Sequence, residues 1–209
     1  MSQNQRQERL RLLIKKLNRA RKRQASQVDI LCNDLIVAQR GFVKRLNGVS
    51  FAASFYKSLL GESDLKRLLA GAGRALQGEL PGAYITFFLR QPEGYRFRVP
   101  DSRDELLIEG RPLEDYFSSA LVADVCKSKQ LCTLSDLFDK GLEGSQEELS
   151  DVSIAALPLK DLGRALGFML IYRPASCPLN HEELERVGLI ICGLSHAIAG
   201  CCLPLHCSA

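Results

Sequence analysis

Apolar residues recur in the first part of the chain with a 4-3 alternation, the spacing of a helix that packs along one side. The alternation runs through ten positions: Leu10, Ile14, Leu17, Arg21, Gln24, Val28, Leu31, Leu35, Ala38 and Phe42. The residues between them are mostly Arg, Lys and Gln, and no Pro or Gly precedes Gly41. This pattern predicts a long helix over residues 1–48.

The apolar side of this helix is too narrow to be buried by the helix alone, so we expect it to pack against a second helix in a coiled coil. The simplest partner is the same helix of a second copy, which predicts a homodimer. The predicted contact residues, called the apolar stripe below, are Leu10, Ile14, Leu17, Val28, Leu31 and Leu35. Arg21 and Gln24 interrupt the stripe, where polar residues weaken the contact but can fix its register.

The basic character of the chain lies in the same helix. Residues 1–45 hold twelve Lys and Arg against three Asp and Glu, whereas the remainder is net acidic. The densest cluster comprises Lys15, Lys16, Arg19, Arg21, Lys22 and Arg23. Two interpretations remain open: a solvated coiled-coil surface, which is the usual role of such charges, or a patch that binds nucleic acid or an anionic membrane.

Helical and strand patterns alternate over residues 49–203 and predict a globular domain, followed by a tail over residues 204–209. The first half of the globular domain is expected to hold a helix capped by Ser63 and a hairpin of strands near 83–89 and 95–99. Pro112 then fits the first position of a helix whose apolar side includes Tyr116 and Val125.

The second half of this domain contains the clearest local signals. A short strand ending in a turn is predicted within 129–137, and the polar stretch 139–151 is expected to be a mobile loop. The apolar run 166–172 favours a central strand covered on both faces, with Gly167 admitting a close neighbour. Asn180 and Glu183 have the spacing of a capping box at the start of the last helix.

Cysteine usage and hydropathy indicate the compartment. The eight cysteines are scattered, and the N-terminal residues have no apolar run of the kind found in a secretory signal, so we expect a cytoplasmic protein with reduced thiols. The uncharged run Val187–Leu205 is long enough to test as a membrane span. Its polar residues, Pro204 and one-sided apolar spacing favour a buried helix instead.

Two segments together resemble a GAF domain over roughly residues 50–203. The first is SSALVADVCKSKQLCTLSDL, Ser118–Leu137, and the second is SIAALPLKDLGRALGFMLIYRP, Ser153–Pro174. The resemblance implies an α+β fold: a central antiparallel sheet flanked by helices, with a pocket under a helix and a loop. It also implies a domain that binds small molecules or joins subunits, often as a dimer connected to a coiled coil.

The same resemblance suggests Phe88, Tyr116, Cys126 and Ser153 as residues lining the pocket, although each also suits an ordinary core. The signatures of the cyclic-nucleotide-binding members, of the Cys-His chromophore type and of the methionine sulfoxide reductases are absent from the sequence. We identify no catalytic residue, metal site or cofactor. His196 and the crowded tail Cys201, Cys202, His206 and Cys207 lack the spacing of a metal site.

The sequence therefore predicts a non-catalytic regulatory protein that dimerises through the N-terminal helix, senses a small molecule or a partner, and passes its signal to another protein. One alternative is binding of nucleic acid or an anionic membrane through the basic cluster, with nucleic acid not favoured and a membrane disfavoured. Another is a thiol-dependent reductase that uses Cys126 and Cys132 on the same fold.

Overall fold

The computed structural model describes residues 3–91, 94–98, 107–108, 110–128 and 130–202. The chain divides into two compact units, Met1–Val49 and Ser50–Ala209. Within the described residues the helices are α1 (Gln3–Leu59), α2 (Leu65–Glu79), α3 (Ser119–Lys127), α4 (Leu134–Asp139) and α5 (His181–Cys202). The strands are β1 (Tyr84–Gln91), β2 (Gly94–Arg98), β3 (Leu107–Ile108), β4 (Arg111–Pro112), β5 (Cys132–Thr133), β6 (Val152–Asp161) and β7 (Arg164–Pro174).

The first unit consists of the N-terminal part of α1, and its residues from Arg6 to Asn47 are all exposed. The prediction of a long helix is confirmed, but the helix does not end near residue 48. Beyond that point Phe51, Phe55 and Leu59 recur at helical spacing and pack in the core of the second unit. Burial of these side chains stabilises the last turns of α1, which explains why the helix continues to Leu59.

The second unit is built on a five-stranded sheet with the order β2-β1-β7-β6-β5, in which every neighbouring pair is antiparallel. The predicted hairpin of β1 and β2 and the strands β6 and β7 are all present. Strand β7 lies at the centre of the sheet, as its continuous apolar run predicts. The predicted α+β fold with an antiparallel sheet flanked by helices is confirmed.

Gly167 shows why the central strand needs a glycine. It pairs with Leu89 of β1, and a Cβ atom at this position would overlap the carbonyl oxygen of Phe88. Its φ of +153° is also a conformation that L side chains rarely adopt. The prediction that Gly167 admits a close neighbour is therefore correct, and that neighbour is the backbone of the adjacent strand.

A separate hydrophobic core covers each face of the sheet. Helix α2, helix α5 and the last turns of α1 cover one face, and this first core contains Phe55, Leu68, Leu76, Phe87, Leu157, Met169, Ile190 and Leu194. On the other face lie a 3-10 turn (Leu113–Tyr116), α3 and α4. This second core contains Phe88, Leu113, Tyr116, Phe117, Leu121, Cys126, Cys132, Ala156, Phe168 and Leu170.

Helices α2 and α5, which cover the first core, each begin with a side-chain cap. Asp64, and not the predicted Ser63, caps α2, because its carboxylate accepts a hydrogen bond from the Arg67 backbone N–H at 2.9 Å. Helix α5 has the predicted capping box: the Glu183 N–H donates to Asn180 Oδ1 at 2.8 Å, and the Asn180 N–H donates to Glu183 Oε2 at 2.9 Å.

The helix predicted to start at Pro112 is instead divided into two pieces. Pro112 ends β4, the 3-10 turn follows, and α3 starts only after Ser118, whose Oγ accepts from the Leu121 N–H at 3.3 Å. The apolar spacing fits both pieces because each covers the same face of the sheet. The turn predicted after the short strand near residue 132 is also replaced, by the helix α4.

The loop predicted over 139–151 is held against the second core. Leu142 and Leu149 are buried there, and the Glu143 N–H donates to the Tyr116 carbonyl at 3.1 Å. The stretch is thus a loop with anchored positions, and its mobility stays a prediction. The end of the predicted second strand, Val99, and the tail residues His206 and Cys207 lie outside the described residues.

Candidate functional site

The apolar stripe is the first candidate site, because it is an exposed hydrophobic surface on the first unit. Its six side chains are between 54% and 69% exposed. Leu13, which is 63% exposed, lies beside the stripe, and no described residue of the first unit covers it. An exposed apolar surface of this kind, although Arg21 and Gln24 interrupt it, is typical of a protein–protein contact.

The basic cluster belongs to the same unit, and all six of its residues are also exposed. At 100° per residue, Arg21 falls beside the stripe, whereas Lys15, Arg19 and Lys22 fall on the far side of the helix. These three residues line a shallow surface depression with Arg11, Asn18 and one residue of the apolar stripe, Ile14. The predicted cluster is thus split by the helix geometry into residues beside the stripe and residues opposite it.

Three of the four predicted pocket residues come together in the second core. Phe88, Tyr116 and Cys126 are all buried there. Phe88 stacks on Phe168 with ring centroids 4.5 Å apart, and the ring of Phe117 lies 5.3 Å from Phe88. Aromatic rings therefore occupy the centre of the face where the resemblance places a pocket.

Ser153 does not join this group. Neighbouring side chains on a strand point to opposite faces, and Ile154 belongs to the second core, so Ser153 lies on the first face. Its Oγ accepts a hydrogen bond from the Leu179 N–H at 3.0 Å, which positions the segment before α5. Sequence spacing alone did not reveal this contact, because 26 residues separate the partners.

Tyr116 is the predicted pocket residue that borders open space. Its hydroxyl donates to the Ile108 carbonyl at 3.3 Å, and its ring packs against Gly144 of the anchored loop. A cavity of about 460 Å³ lies beside it, lined by Arg111, Asp115, Tyr116, Glu143, Gly144 and Glu148. Charged and polar side chains dominate this lining, so the cavity suits a polar ligand.

A part-buried polar cluster that the sequence did not indicate lies near the same face. The Thr86 hydroxyl donates to Glu114 Oε1 at 3.0 Å, and the Tyr172 hydroxyl donates to the same oxygen at 2.9 Å. Tyr84 stacks on Tyr172 with ring centroids 5.4 Å apart. The carboxylate of Glu114 therefore ties the 3-10 turn to strands β1 and β7.

The two thiols of the reductase alternative are enclosed by the second core. Cys126 is 1% exposed and Cys132 is 2% exposed. The Cys132 thiol lies 3.4 Å from the Ser128 Oγ. A catalytic thiolate must meet its substrate, so neither sulfur is placed for that chemistry unless the second core opens.

The remaining polar candidates lie near α5. His196 is exposed, and its Nδ1 is 3.2 Å from Asp161 Oδ1. Among the described residues, no group of three or more His, Cys, Asp or Glu side chains has the arrangement of a metal site. In the same part of the chain, Arg173 and Glu183 form a buried ion pair at 2.6 Å that joins β7 to α5.

Helix α5 is long and apolar enough, by length and composition, to pass as a membrane span. A core helix of a folded domain passes the same test, and the buried side chains Val187, Ile190, Leu194 and Ile198 place α5 in the first core. The apolar run is therefore explained by packing against the sheet.

No family model matches the chain, and no curated protein matches it in sequence. Among solved structures, the GAF domain of a phosphoenolpyruvate-protein phosphotransferase from Coxiella burnetii matches with a TM-score of 0.53 at 18% identity. That match covers 74% of this chain and 94% of the other chain. The second unit has a GAF fold.

Other solved structures share this GAF fold. Residues 122 to 287 of a methyl-accepting chemotaxis protein match with a TM-score of 0.51 at 15% identity, over 72% of this chain and 96% of that chain. The chromophore-binding domain of Stigmatella aurantiaca bacteriophytochrome matches with a TM-score of 0.51 at 12% identity, over 74% of this chain and 60% of that chain. At these identities the likeness is one of fold.

Proposed function

We propose that this chain is a non-catalytic regulatory or signalling protein that dimerises through the apolar stripe and passes its signal to another protein. Its GAF-fold domain senses a small molecule or a partner protein. The proposal agrees with the names of the solved structures that share the fold, which include a chemotaxis protein and a bacteriophytochrome. The protein is proposed to act in the cytoplasm, where its cysteines stay reduced.

The exposure of the apolar stripe is the observation that carries this proposal. Leu17 and Leu35 are each 69% exposed, so most of their apolar surface is in contact with water in a single chain. Removing it from water is worth about 1.5 to 3 kcal/mol for each fully buried Leu, Ile or Val side chain. Pairing with a second copy gains this burial free energy twice for every stripe position, because both chains contribute the same residues.

The sensing part of the proposal is supported by the cavity beside Tyr116. Arg111 supplies a positive charge at this cavity, and Asp115, Glu143 and Glu148 supply negative charges. A small polar molecule with groups of both signs would be matched by this lining. Its binding would press on the anchored loop, because Gly144 of that loop packs against the Tyr116 ring.

Multi-angle light scattering of the full chain tests the assembly part. At micromolar concentration we expect twice the mass of one chain, and a monomer would contradict the proposal. Native mass spectrometry of protein purified from its native host tests the sensing part. A bound mass that denaturation removes would indicate a small molecule, whereas the bare chain mass would direct the search to a partner protein.

A further inference from the structure

A basic surface on α1 is not used by the proposed assembly. Arg11, Lys15, Arg19 and Lys22 are exposed and follow one another at helical spacings of four, four and three residues, and we call them the basic face. Arg11 and Lys22 are separated by 11 steps of the helix, which is about 16 Å along its axis. We propose that the basic face binds the phosphate backbone of double-stranded nucleic acid without reading its sequence.

The position of the basic face leaves it free when the helix pairs. At 100° per residue, its four side chains fall within a sector of about 80°, centred roughly 150° around the helix from the apolar stripe. A second helix packed on the stripe would therefore leave these side chains exposed. The nucleic-acid site does not depend on the sensing role, and it is compatible with either a monomer or a dimer.

The charge of this segment matches a polyphosphate chain. Residues 6–23 contain nine Lys and Arg and a single acidic residue, Glu8, which lies one turn before Arg11. A nucleic acid duplex carries one negative charge per 1.7 Å or so of its axis, so the length of the basic face spans several phosphates. Long flexible Lys and Arg side chains suit such contacts, which hold the duplex without specifying its sequence.

The composition of the helix favours a duplex over a single strand. Proteins that hold single strands stack the unpaired bases on aromatic rings. No Phe, Tyr or Trp occurs before Phe42, well beyond the basic face. Phosphate contacts are therefore the main interaction that the basic face offers, and a duplex presents phosphates at a high density.

The arrangement of the helix favours nucleic acid over an anionic membrane. A helix lying in a membrane surface inserts its apolar side and carries Lys and Arg on its polar side. The apolar side of this segment is poor in anchoring residues, because Arg21 and Gln24 interrupt the apolar stripe and no Phe, Tyr or Trp precedes Phe42. The same insertion would also occupy the surface proposed for the dimer.

The test uses the full chain and a fluorescein-labelled 30-base-pair DNA duplex of mixed sequence, followed by fluorescence anisotropy at 50 and 200 mM KCl. Four phosphate contacts predict that the fourfold rise in salt weakens binding about 100-fold. In the test variant Arg11, Lys15, Arg19 and Lys22 are all changed to Gln. Its affinity at 50 mM KCl should fall about 100-fold, and most of its salt dependence should disappear.

A matched control separates the basic face from net charge alone. The control set also consists of two Arg and two Lys that are exposed but lie outside the basic face: Arg45, Lys57, Lys66 and Arg67. Changing these four to Gln removes the same charge and should leave the affinity within about 3-fold of the unaltered protein. The Glu8→Gln variant should bind more tightly than the unaltered protein, because it removes the acidic neighbour of the basic face.

Circular dichroism checks that both fourfold variants keep the helical content of the unaltered protein. An equal loss of affinity in the two variants would overturn the proposal, since it would show attraction by overall charge. Failure of the unaltered protein to bind the duplex at 50 mM KCl would overturn it as well. Binding to vesicles containing anionic lipid, in the absence of binding to the duplex, would assign the basic face to a membrane.

Discussion

Leu17→Ala is the sharpest test of the apolar stripe. Leu17 is 69% exposed in the single chain, so roughly two thirds of its side chain remains to be buried by a partner. Truncation to Ala removes about 2.4 kcal/mol of full burial, at about 0.8 kcal/mol for each carbon group, and two thirds of that is about 1.6 kcal/mol. Both chains of a dimer carry the change, which brings the loss to about 3.2 kcal/mol.

A loss of this size raises the dimer dissociation constant about 200-fold, at 1.36 kcal/mol for each factor of ten. Sedimentation velocity over a series of concentrations measures that constant directly. Leu12→Ala is the matched control, because Leu12 is 61% exposed on the same helix but lies outside the stripe. The control should dissociate within about 3-fold of the unaltered protein, since it buries little in the proposed contact.

Equal effects of Leu17→Ala and Leu12→Ala on dissociation would refute the argument. Such a result would mean that loss of helix stability, and not loss of a contact, drives the change. If neither substitution changes the dissociation constant of the dimer, the subunit contact lies elsewhere in the chain.

Three further predictions concern the second unit, each measured as the free energy of unfolding in urea. Gly193→Ala should destabilise by about 1 to 3 kcal/mol, because the added methyl group would overlap the ring of Tyr56, which α1 packs against α5. Gly167→Ala should cost about 3 kcal/mol or more, because it forces apart the backbones of β1 and β7. Asp136→Asn should cost less than about 1 kcal/mol at pH 7, because the exposed carboxylate accepts two hydrogen bonds from Thr133. Those bonds lower the pKa of Asp136, so its contribution is present above the unfolded pKa and is lost as the pH falls through the folded pKa.

Each of these predictions has a control in the chain. Gly188→Ala changes a glycine of the same helix with open space around it, and should stabilise by up to about 1 kcal/mol. Equal destabilisation by the changes at 188 and 193 would contradict the packing argument, and an unaffected Gly167→Ala variant would contradict the strand contact. For Asp136, the control is Asp139→Asn in the same helix, and a pH-independent cost at residue 136 would be the opposing result.

Local sequence signals predicted much of this fold. The capping box of Asn180 and Glu183, the glycine of β7 and the 4-3 alternation of α1 are short-range patterns. The cap and the glycine make the predicted contacts, and the alternation lies in the predicted helix. Their effect is local: a cap satisfies nearby backbone N–H groups, and a glycine removes a single Cβ atom. Such features need little information from distant parts of the chain.

The failures depend on contacts between distant residues. The apolar spacing after Pro112 is compatible with one helix or with a 3-10 turn followed by a helix, and packing on the sheet decides between them. The polar loop is anchored by the buried side chains of Leu142 and Leu149 and by the bond from the Glu143 N–H to the Tyr116 carbonyl. The composition of this stretch indicated a loop, but it contains no signal that these residues contact the core.

The candidate site was predictable only in part. Phe88, Tyr116 and Cys126 meet in the second core, and their role as pocket residues stays a prediction. Ser153 was misplaced because strand alternation sends it to the opposite face. Nothing in the sequence brings together Thr86, Glu114 and Tyr172, which lie far apart along the chain and meet only through the fold.

The three rings of Phe88, Phe117 and Phe168 also make this interior suitable for engineering. Trimming Phe117 to Ala would leave a hydrocarbon-lined vacancy at a cost of about 3 to 5 kcal/mol in stability. Vacancies of this kind stay dry and accept guests such as benzene. A guest that fits would restore the lost stability. An added aromatic compound would then control the folding of the truncated protein.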